Sequence, residues 1–342
     1  MADTRKILIV TPAWVGDAVL AQPLFRRLHQ LHSNLTLDVL APEWTLPVFA
    51  RMPEVSATIA APFRHGELAL GQRHAIGREL AARRYDQAIV LPNSFKSALA
   101  PWFAGIPLRT GFIGEARWLL LNDARRLDKN ALPQMAERFA LLAEEPGTPL
   151  HRPLALPRLA VDETHRAAVL AKLGLDAARP VVALCPGAEY GPAKRWPPQY
   201  FAELAKKFSA RGYAVWLVGS KKDTALGAAI AQLADGACRN LCGNTSLDEA
   251  IDLLSCAALA VSNDSGLMHV AAALGKPLLA LYGSSSPAFT PPLSDTARII
   301  RLDLPCSPCF QRVCPLGHFN CMMQLTPEHV WRQIDFARIP AP

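Results

Sequence analysis

The chain has 342 residues, 51 % of them hydrophobic, enough for two domains that each bury a core, and this excludes a disordered or fibrous protein. Its formal charge of +7 is spread almost evenly over the two halves, so no basic tail carries it. Met1 to Lys6 runs straight into a short apolar strand rather than a secretory leader, and no apolar run reaches the ~18 residues of a membrane span, so a soluble, cytoplasmic protein is expected.

The first predicted strand is KILIV (6–10). In the loop after it stands Asp17, between Gly16 and an apolar series, Val19, Leu20, Phe25, Leu28 and Leu31, that fits a helix starting just after the acid. An aspartate here either caps that helix, by accepting from its first free N–H groups, or does chemistry with a partner supplied elsewhere in the chain. Strands follow at LTLDVLA (35–41), ATIAAP (57–62) and QAIVLPN (87–93), with a helix over 73–84 that places Ile76 and Leu80 four apart. Around that helix Arg64, Arg73, Arg78, Arg83 and Arg84 outnumber Glu67 and Glu79, which makes either a solvated face or a landing surface for an acidic substrate or an anionic membrane.

The proline-rich stretch 144–159 has no periodicity and reads as a linker. Beyond it the rhythm returns with PVVALCPG (180–187), YAVWLVGS (213–220), ALAVSND (258–264) and LLALYGS (278–284). Apolar strands alternating with helices imply parallel sheets made of βαβ units. The expected architecture is two Rossmann-like, doubly wound domains, residues 1–158 and 159–342, facing a central cleft, with the last helix a candidate to pack back on the first domain. In such sheets ligands sit beyond the carboxyl ends of the strands, so chemistry is sought in the loops there.

Three such loops in the second half stand out. CPGAEYGPAKRWPPQYFAEL delivers Lys194 and Arg195 just ahead of a helix, an arrangement suited to a diphosphate, which gains from the cations and from the positive end of the helix. AVSNDSGLMHVAAALGKP puts Asp264 and Ser265 at a strand-to-helix switch, with His269 one turn further on the same side and Gly275 and Pro277 ending the helix. The serines of YGSSSP could bond phosphate or ribose, and Asp223 in VGSKKD could hold a ribose or simply cap a helix.

CSPCFQRVCPLGHFNCM holds Cys306, Cys309, Cys314 and Cys321 with His318. Four thiols this close could bind zinc or respond to oxidants, but the spacings after the C-x2-C pair match no standard zinc site, and a reduced thiol-rich loop is the simplest reading. Cys185, Cys238, Cys242 and Cys256 are expected to be small buried residues. No G-x-G-x-x-G follows a strand, no G-x-x-x-x-G-K-[ST] exists and Ser265 lacks the G-x-S-x-G context, against a dinucleotide oxidoreductase, a P-loop enzyme and an α/β-hydrolase. There is no zinc-finger spacing or aromatic-rich RNA signature either, so no nucleic acid partner is expected.

Four stretches, VTPAWVGDAVLAQPL, CPGAEYGPAKRWP, VSNDSGLMHVAAALGKPLLALYG and SSPAFTPPLS, together resemble the ADP-heptose:lipopolysaccharide heptosyltransferase family nearly end to end. The resemblance implies the GT-B architecture and an inverting transfer of heptose to the lipopolysaccharide inner core. It implies a first domain that takes a lipid-linked acidic acceptor, a second that takes ADP-heptose, and peripheral contact with the inner face of the cytoplasmic membrane. Asp17 becomes the general base and Lys194 the diphosphate ligand, with Arg195, Asp223, Asp264, Ser265, Gly266 and His269 at the donor. Arg64, Arg73, Arg78 and Arg83 become acceptor contacts, and neither a cofactor nor a metal is implied. The alternatives are a family member acting on another acceptor hydroxyl, and a non-catalytic nucleotide-sugar binding protein in which Asp17 only caps.

Overall fold

Short apolar runs, buried on both faces, can pair only as parallel strands covered by helices, and the computed structural model, which describes residues 4–63 and 66–342, contains two sheets built this way. The first comprises β1 (Arg5–Val10), β2 (Leu35–Pro42), β3 (Ala57–Ala61), β4 (Gln87–Val90), β5 (Leu108–Phe112) and β6 (Asp123–Arg125), in the order β3-β2-β1-β4-β5-β6. The second comprises β7 (Val181–Cys185), β8 (Ala214–Leu217), β9 (Arg239–Asn240), β10 (Ala257–Asn263), β11 (Leu278–Leu281) and β12 (Ala297–Ile300), in the order β12-β11-β10-β7-β8-β9. All pairings are parallel, and both sheets have the doubly wound order in which the direction of adding successive strands reverses once. The reversal falls between β1 and β4 in one sheet and between β7 and β10 in the other, which marks the carboxyl ends of these four strands as the binding crevices.

The chain divides into two units, Met1–Pro157 and Arg158–Pro342, within the proline-rich stretch. In the first, Ile7, Leu8 and Ile9 of β1 are fully buried, each stabilising the sheet by about 1.5–3 kcal/mol relative to exposure. In the second, helix Pro198–Ala210 shows how the covering layer forms. Pro198 at its first position needs no N–H partner, and Phe201, Leu204, Ala205 and Phe208 make one apolar stripe on the core. Trp331 of the last helix, Pro327–Trp331, packs its ring 5.0 Å from that of Phe208, so this helix lies against its own unit. Phe208→Ala would leave a cavity costing about 3–5 kcal/mol.

β5, β6, β9 and β12 do not stand out in the sequence. β5 is interrupted by Arg109 and Gly111, β6 and β9 span three and two residues, and β12 is largely exposed, so none has an apolar run to detect. No helix among the described residues is long and apolar enough to cross a membrane.

Candidate functional site

β1 delivers the chain into the first crevice. After Thr11, whose N–H donates to the Leu40 carbonyl at 3.1 Å, the backbone turns at Trp14 into helix Val15–Leu20. The helix therefore begins two residues before Asp17, not after it. Trp14 is the N-cap and makes no side-chain cap bond, and Asp17 lies in the first turn. The expected N-cap role thus falls to another residue, because the chain already closes the Trp14 carbonyl to Ala18 N–H bond at 2.9 Å. Half-buried, Asp17 lines a cavity of about 810 Å³ formed by the loops at the carboxyl ends of the strands.

The basic stretch divides along its helix, Leu70–Ala81. Arg73, in the first turn, lines the cavity but is 6 % exposed. Its Nε donates to Leu68 O at 2.6 Å, its terminal nitrogens to Lys96 O at 2.9 Å and Glu67 O at 3.4 Å, and it stacks 4.0 Å over Phe63. Burial lowers its pKa, and its fork is spent holding the loop rather than facing solvent. Arg78 is exposed and does not line the cavity, and Arg83 pairs with Asp38 at 3.4 Å just ahead of β4. The physical reason is topological: a crossover helix carries the chain from the carboxyl edge back to the amino edge, so its second half leaves the crevice. Arg64 lies outside the described residues.

Sequence reading passed over the cations that do line the cavity, Lys96, Lys129 and Arg138, which follow β4 and β6. Their signal was positional, at carboxyl ends, rather than compositional. Arg117 shapes the same wall: fully buried, it donates to Phe112 O at 2.9 Å, Asn93 Oδ1 at 3.0 Å and Pro92 O, which ties the loops after β4 and β5 together. Burial lowers its pKa to about 10.

The second crevice is closed and polar. Lys194, in the turn Pro192–Lys194 after β7, donates to Asp264 Oδ2 at 2.6 Å, and Ser285, after β11, donates to the same oxygen at 2.5 Å. Asn263 fixes the distance between the two strand ends, accepting from Trp196 N–H at 3.1 Å and donating to Pro186 O at 2.7 Å. Asp264 therefore does not cap. Ser265 is the N-cap of helix Gly266–Ala273, yet its side chain makes no cap bond and instead meets Ser262 Oγ at 3.2 Å. The N-terminal amides of that helix, starting at Gly266, are left for other acceptors.

His269 is 3 % exposed and its Nδ1 has no hydrogen-bond partner among the described residues. Burial lowers its pKa to about 4, against a smaller raising effect of Asp264 and a further lowering by Lys194, so the imidazole is neutral at neutral pH. Arg195 is exposed, with one nitrogen 3.5 Å from the Ala188 carbonyl. Asp223 is buried and makes a capping box with Ser220, accepting from its N–H at 2.9 Å and its hydroxyl at 2.7 Å. Gly187 lets the loop after β7 approach: a Cβ there would come within 2.5 Å of Asp223 Oδ2.

The cysteine segment braces this crevice. Phe310 N–H donates to Ser284 O at 2.7 Å, Ser307 Oγ to Gly283 O at 2.7 Å, Tyr190 Oη to Phe310 O at 2.7 Å and Ala193 N–H to Arg312 O at 3.0 Å. All eight cysteines are free thiols, and Cys238 and Cys256, expected to be buried, are half-buried because each follows the end of a helix. Cys314 Sγ accepts from backbone N–H groups, Phe319 foremost, which lowers its pKa. Among the described residues the group of ligand atoms that converges is not these thiols but His165, Asp248 and Asp252. There the two ring nitrogens face different carboxylates, Nδ1 at 2.5 Å from Asp252 and Nε2 at 3.7 Å from Asp248, a bridge between two helices.

Glycosyltransferase family 9 (heptosyltransferase) matches residues 73–320, a span that takes in both Lys194 and Asp264. The chain belongs to this family. It is a glycosyltransferase, and its two sheets are those of the family's GT-B-like structures. It is similar to lipopolysaccharide heptosyltransferase 2 of Escherichia coli K12, 47 % identical over 96 % of this chain and 97 % of that one. It is also similar to lipooligosaccharide heptosyltransferase 2 of Haemophilus influenzae Rd, 46 % identical over 86 % and 88 %. Among solved structures, that of E. coli ADP-heptose LPS heptosyltransferase II matches 96 % of both chains, with 45 % identity and a TM-score of 0.85.

Proposed function

We propose that this glycosyltransferase moves L-glycero-D-manno-heptose from ADP-heptose to the first heptose of the lipid-linked lipopolysaccharide inner core, the reaction of heptosyltransferase II, with inversion. The similarity along 96 % of the chain to heptosyltransferase 2 supports the substrates. The observation that carries the reading is the pairing of chemistries at the two switch points: a carboxylate at the edge of a cavity after β1, and a cation held by a buried acid after β7 and β10.

In this reading Asp17 takes the proton of the acceptor hydroxyl as its oxygen attacks the anomeric carbon. The bond from that carbon to the diphosphate breaks, and its electron pair leaves on ADP. Lys194 and the uncapped amides at Gly266 meet the negative charge that develops there. Asp264 and Ser285 hold Lys194 in place, and the buried, neutral ring of His269 backs them at the donor. Arg195 and Ser265 meet the donor from the same loops, with Asp223 behind the loop of Gly187. In the first unit Lys96 and Lys129 meet the carboxylates and phosphates of the acceptor, and Arg73 and Arg138, which hold backbone carbonyls, keep the cavity's loops in place. The chain works at the inner face of the cytoplasmic membrane, where such an acceptor resides, and has no nucleic acid partner.

The test is ADP release measured with and without a delipidated core acceptor, with mass spectrometry of the product. Acceptor-dependent release and a gain of one heptose are expected. Donor binding without transfer would make the chain a nucleotide-sugar binder.

A further inference from the structure

Large apolar side chains break the surface unevenly. In the first unit every loop leaving the carboxyl ends of β1 to β5 carries at least one: Trp14 after β1, Trp44 after β2, Leu68 and Leu70 after β3, Phe95 after β4 and Ile113 after β5, each between 37 and 52 % exposed. Parallel strands bring these loops to one edge of the sheet. Trp44 Nε1–H donates to the Ala13 carbonyl at 2.9 Å, which sets the Trp44 side chain beside the loop of Trp14. Trp14, Trp44, Leu68 and Phe95 also line the cavity that holds Asp17, so they form its rim. In the second unit the loops after β7 to β11 carry no large apolar side chain of comparable exposure among the described residues, and the segment after β12 carries Phe310, Val313 and Leu316, 50 to 61 % exposed, with no tryptophan among them.

A soluble surface seldom gathers this much apolar area without a partner. Two features point to which partner. Tryptophan, with an apolar ring and a polar N–H, is the side chain suited to the headgroup layer of a bilayer. Cations stand among the apolar groups, Lys96 next to Phe95 and Lys129 across the cavity, and cations draw a protein to anionic lipid. We infer that this rim is the surface by which the chain rests on an anionic lipid bilayer, with its apolar side chains in the headgroup layer and the Asp17 cavity opening between them. The inference rests on the reading of a lipid-linked acceptor and adds the part of the chain that meets the lipid.

The experiment is co-sedimentation of the full chain with vesicles of phosphatidylglycerol and phosphatidylethanolamine in equal parts. Leu70 and Ile113 lie on the rim but outside the cavity lining, so the double variant Leu70→Ser, Ile113→Ser serves as the probe. Wild type is expected to sediment, and the variant to bind about tenfold more weakly, while both transfer heptose equally to a soluble, delipidated acceptor. In the wild type, brominated acyl chains are expected to quench tryptophan emission, and less so in Trp14→Phe, Trp44→Phe. Failure of wild type to bind, equal binding by the double variant, or absence of quenching would overturn the inference. So would a variant that changes self-association but not vesicle binding, which would assign the rim to a second copy of the chain. Loss of transfer to the soluble acceptor in wild type defeats the proposed reaction instead, and leaves the vesicle result to judge the rim.

Discussion

The two units share one strand order and one switch point, yet they fill it in opposite ways. In the first, the loops after β1 to β5 stand apart around an open cavity, with a half-buried carboxylate on its wall and tryptophans at its mouth. In the second, the loops after β7, β10 and β11 close on each other through Lys194, Asp264 and Ser285, with His269 sealed beside them. All four tryptophans of the first unit are exposed, while Trp196 and Trp216 of the second are in its core. The doubly wound sheet determines where ligands meet the chain; the loops determine whether that place is a wide bay or a tight polar slot.

The sharpest way to break this contrast is to charge the closed side. The pKa of His269 is lowered by burial to about 4 from an unfolded value of 6.5, so the unfolded chain binds the extra proton between these two pH values. Stability from this group is fully present above pH 6.5, falls as pH drops toward 4, and is lost below it, by up to roughly 3 kcal/mol. Chemical denaturation of wild type and His269→Gln across that window should show a steeper loss in wild type; parallel curves would mean the imidazole is not sealed.

On the open side, Asp17→Asn should lower turnover by about 10²-fold or more, the scale of losing a general base. Its melting temperature should barely move, because Asp17 does not occupy the N-cap position of its helix. Donor affinity measured by calorimetry should be unchanged. A stability loss without a rate loss would return Asp17 to a structural role.

Lys194→Ala sharpens the comparison from the other unit. It should weaken ADP binding by ~10-fold or more and leave Asp264 buried without its cation, at a stability cost of about 1–3 kcal/mol. The smallest effects concern the acceptor. Reversing Lys96 and Lys129 to Glu should raise the acceptor KM several-fold with the donor KM unchanged. Reversing Arg78 and Arg83, which lie off the cavity, should change neither by more than about twofold. Acceptor titrations of the two double variants decide whether the cavity or the helix face is the binding surface.

Much of the second crevice was legible because its residues sit in long contiguous motifs. A loop that ends in Lys194-Arg195-Trp196-Pro197 and a switch of Asn263-Asp264-Ser265-Gly266 keep sequence order and spatial order together. The first crevice was legible at Asp17 and Arg73. Its other members come one or two at a time from five loops, so no window of sequence holds them, and the arginine cluster divides: Arg73 lines the cavity with its fork turned inward onto carbonyls, while Arg78 and Arg83 lie off it. The cysteine segment was conspicuous as chemistry, yet what the structure displays is a brace on the loops of Ser284 and Ala193.

By itself the sequence determined two sheets of parallel strands, the break between them and the residue types at the switch points. These follow from local facts: apolar runs too short for helices, prolines that end periodicity, and acids and cations placed directly after strands. Only the tertiary structure decided that Asp17 stands in the first turn of its helix rather than at the cap, that Asp264 holds Lys194 rather than a helix end, and that apolar side chains from five loops share one rim. Each of those depends on which strands are neighbours, and strand order is set by the packing of helices over the whole sheet, a long-range property that no local stretch of sequence contains.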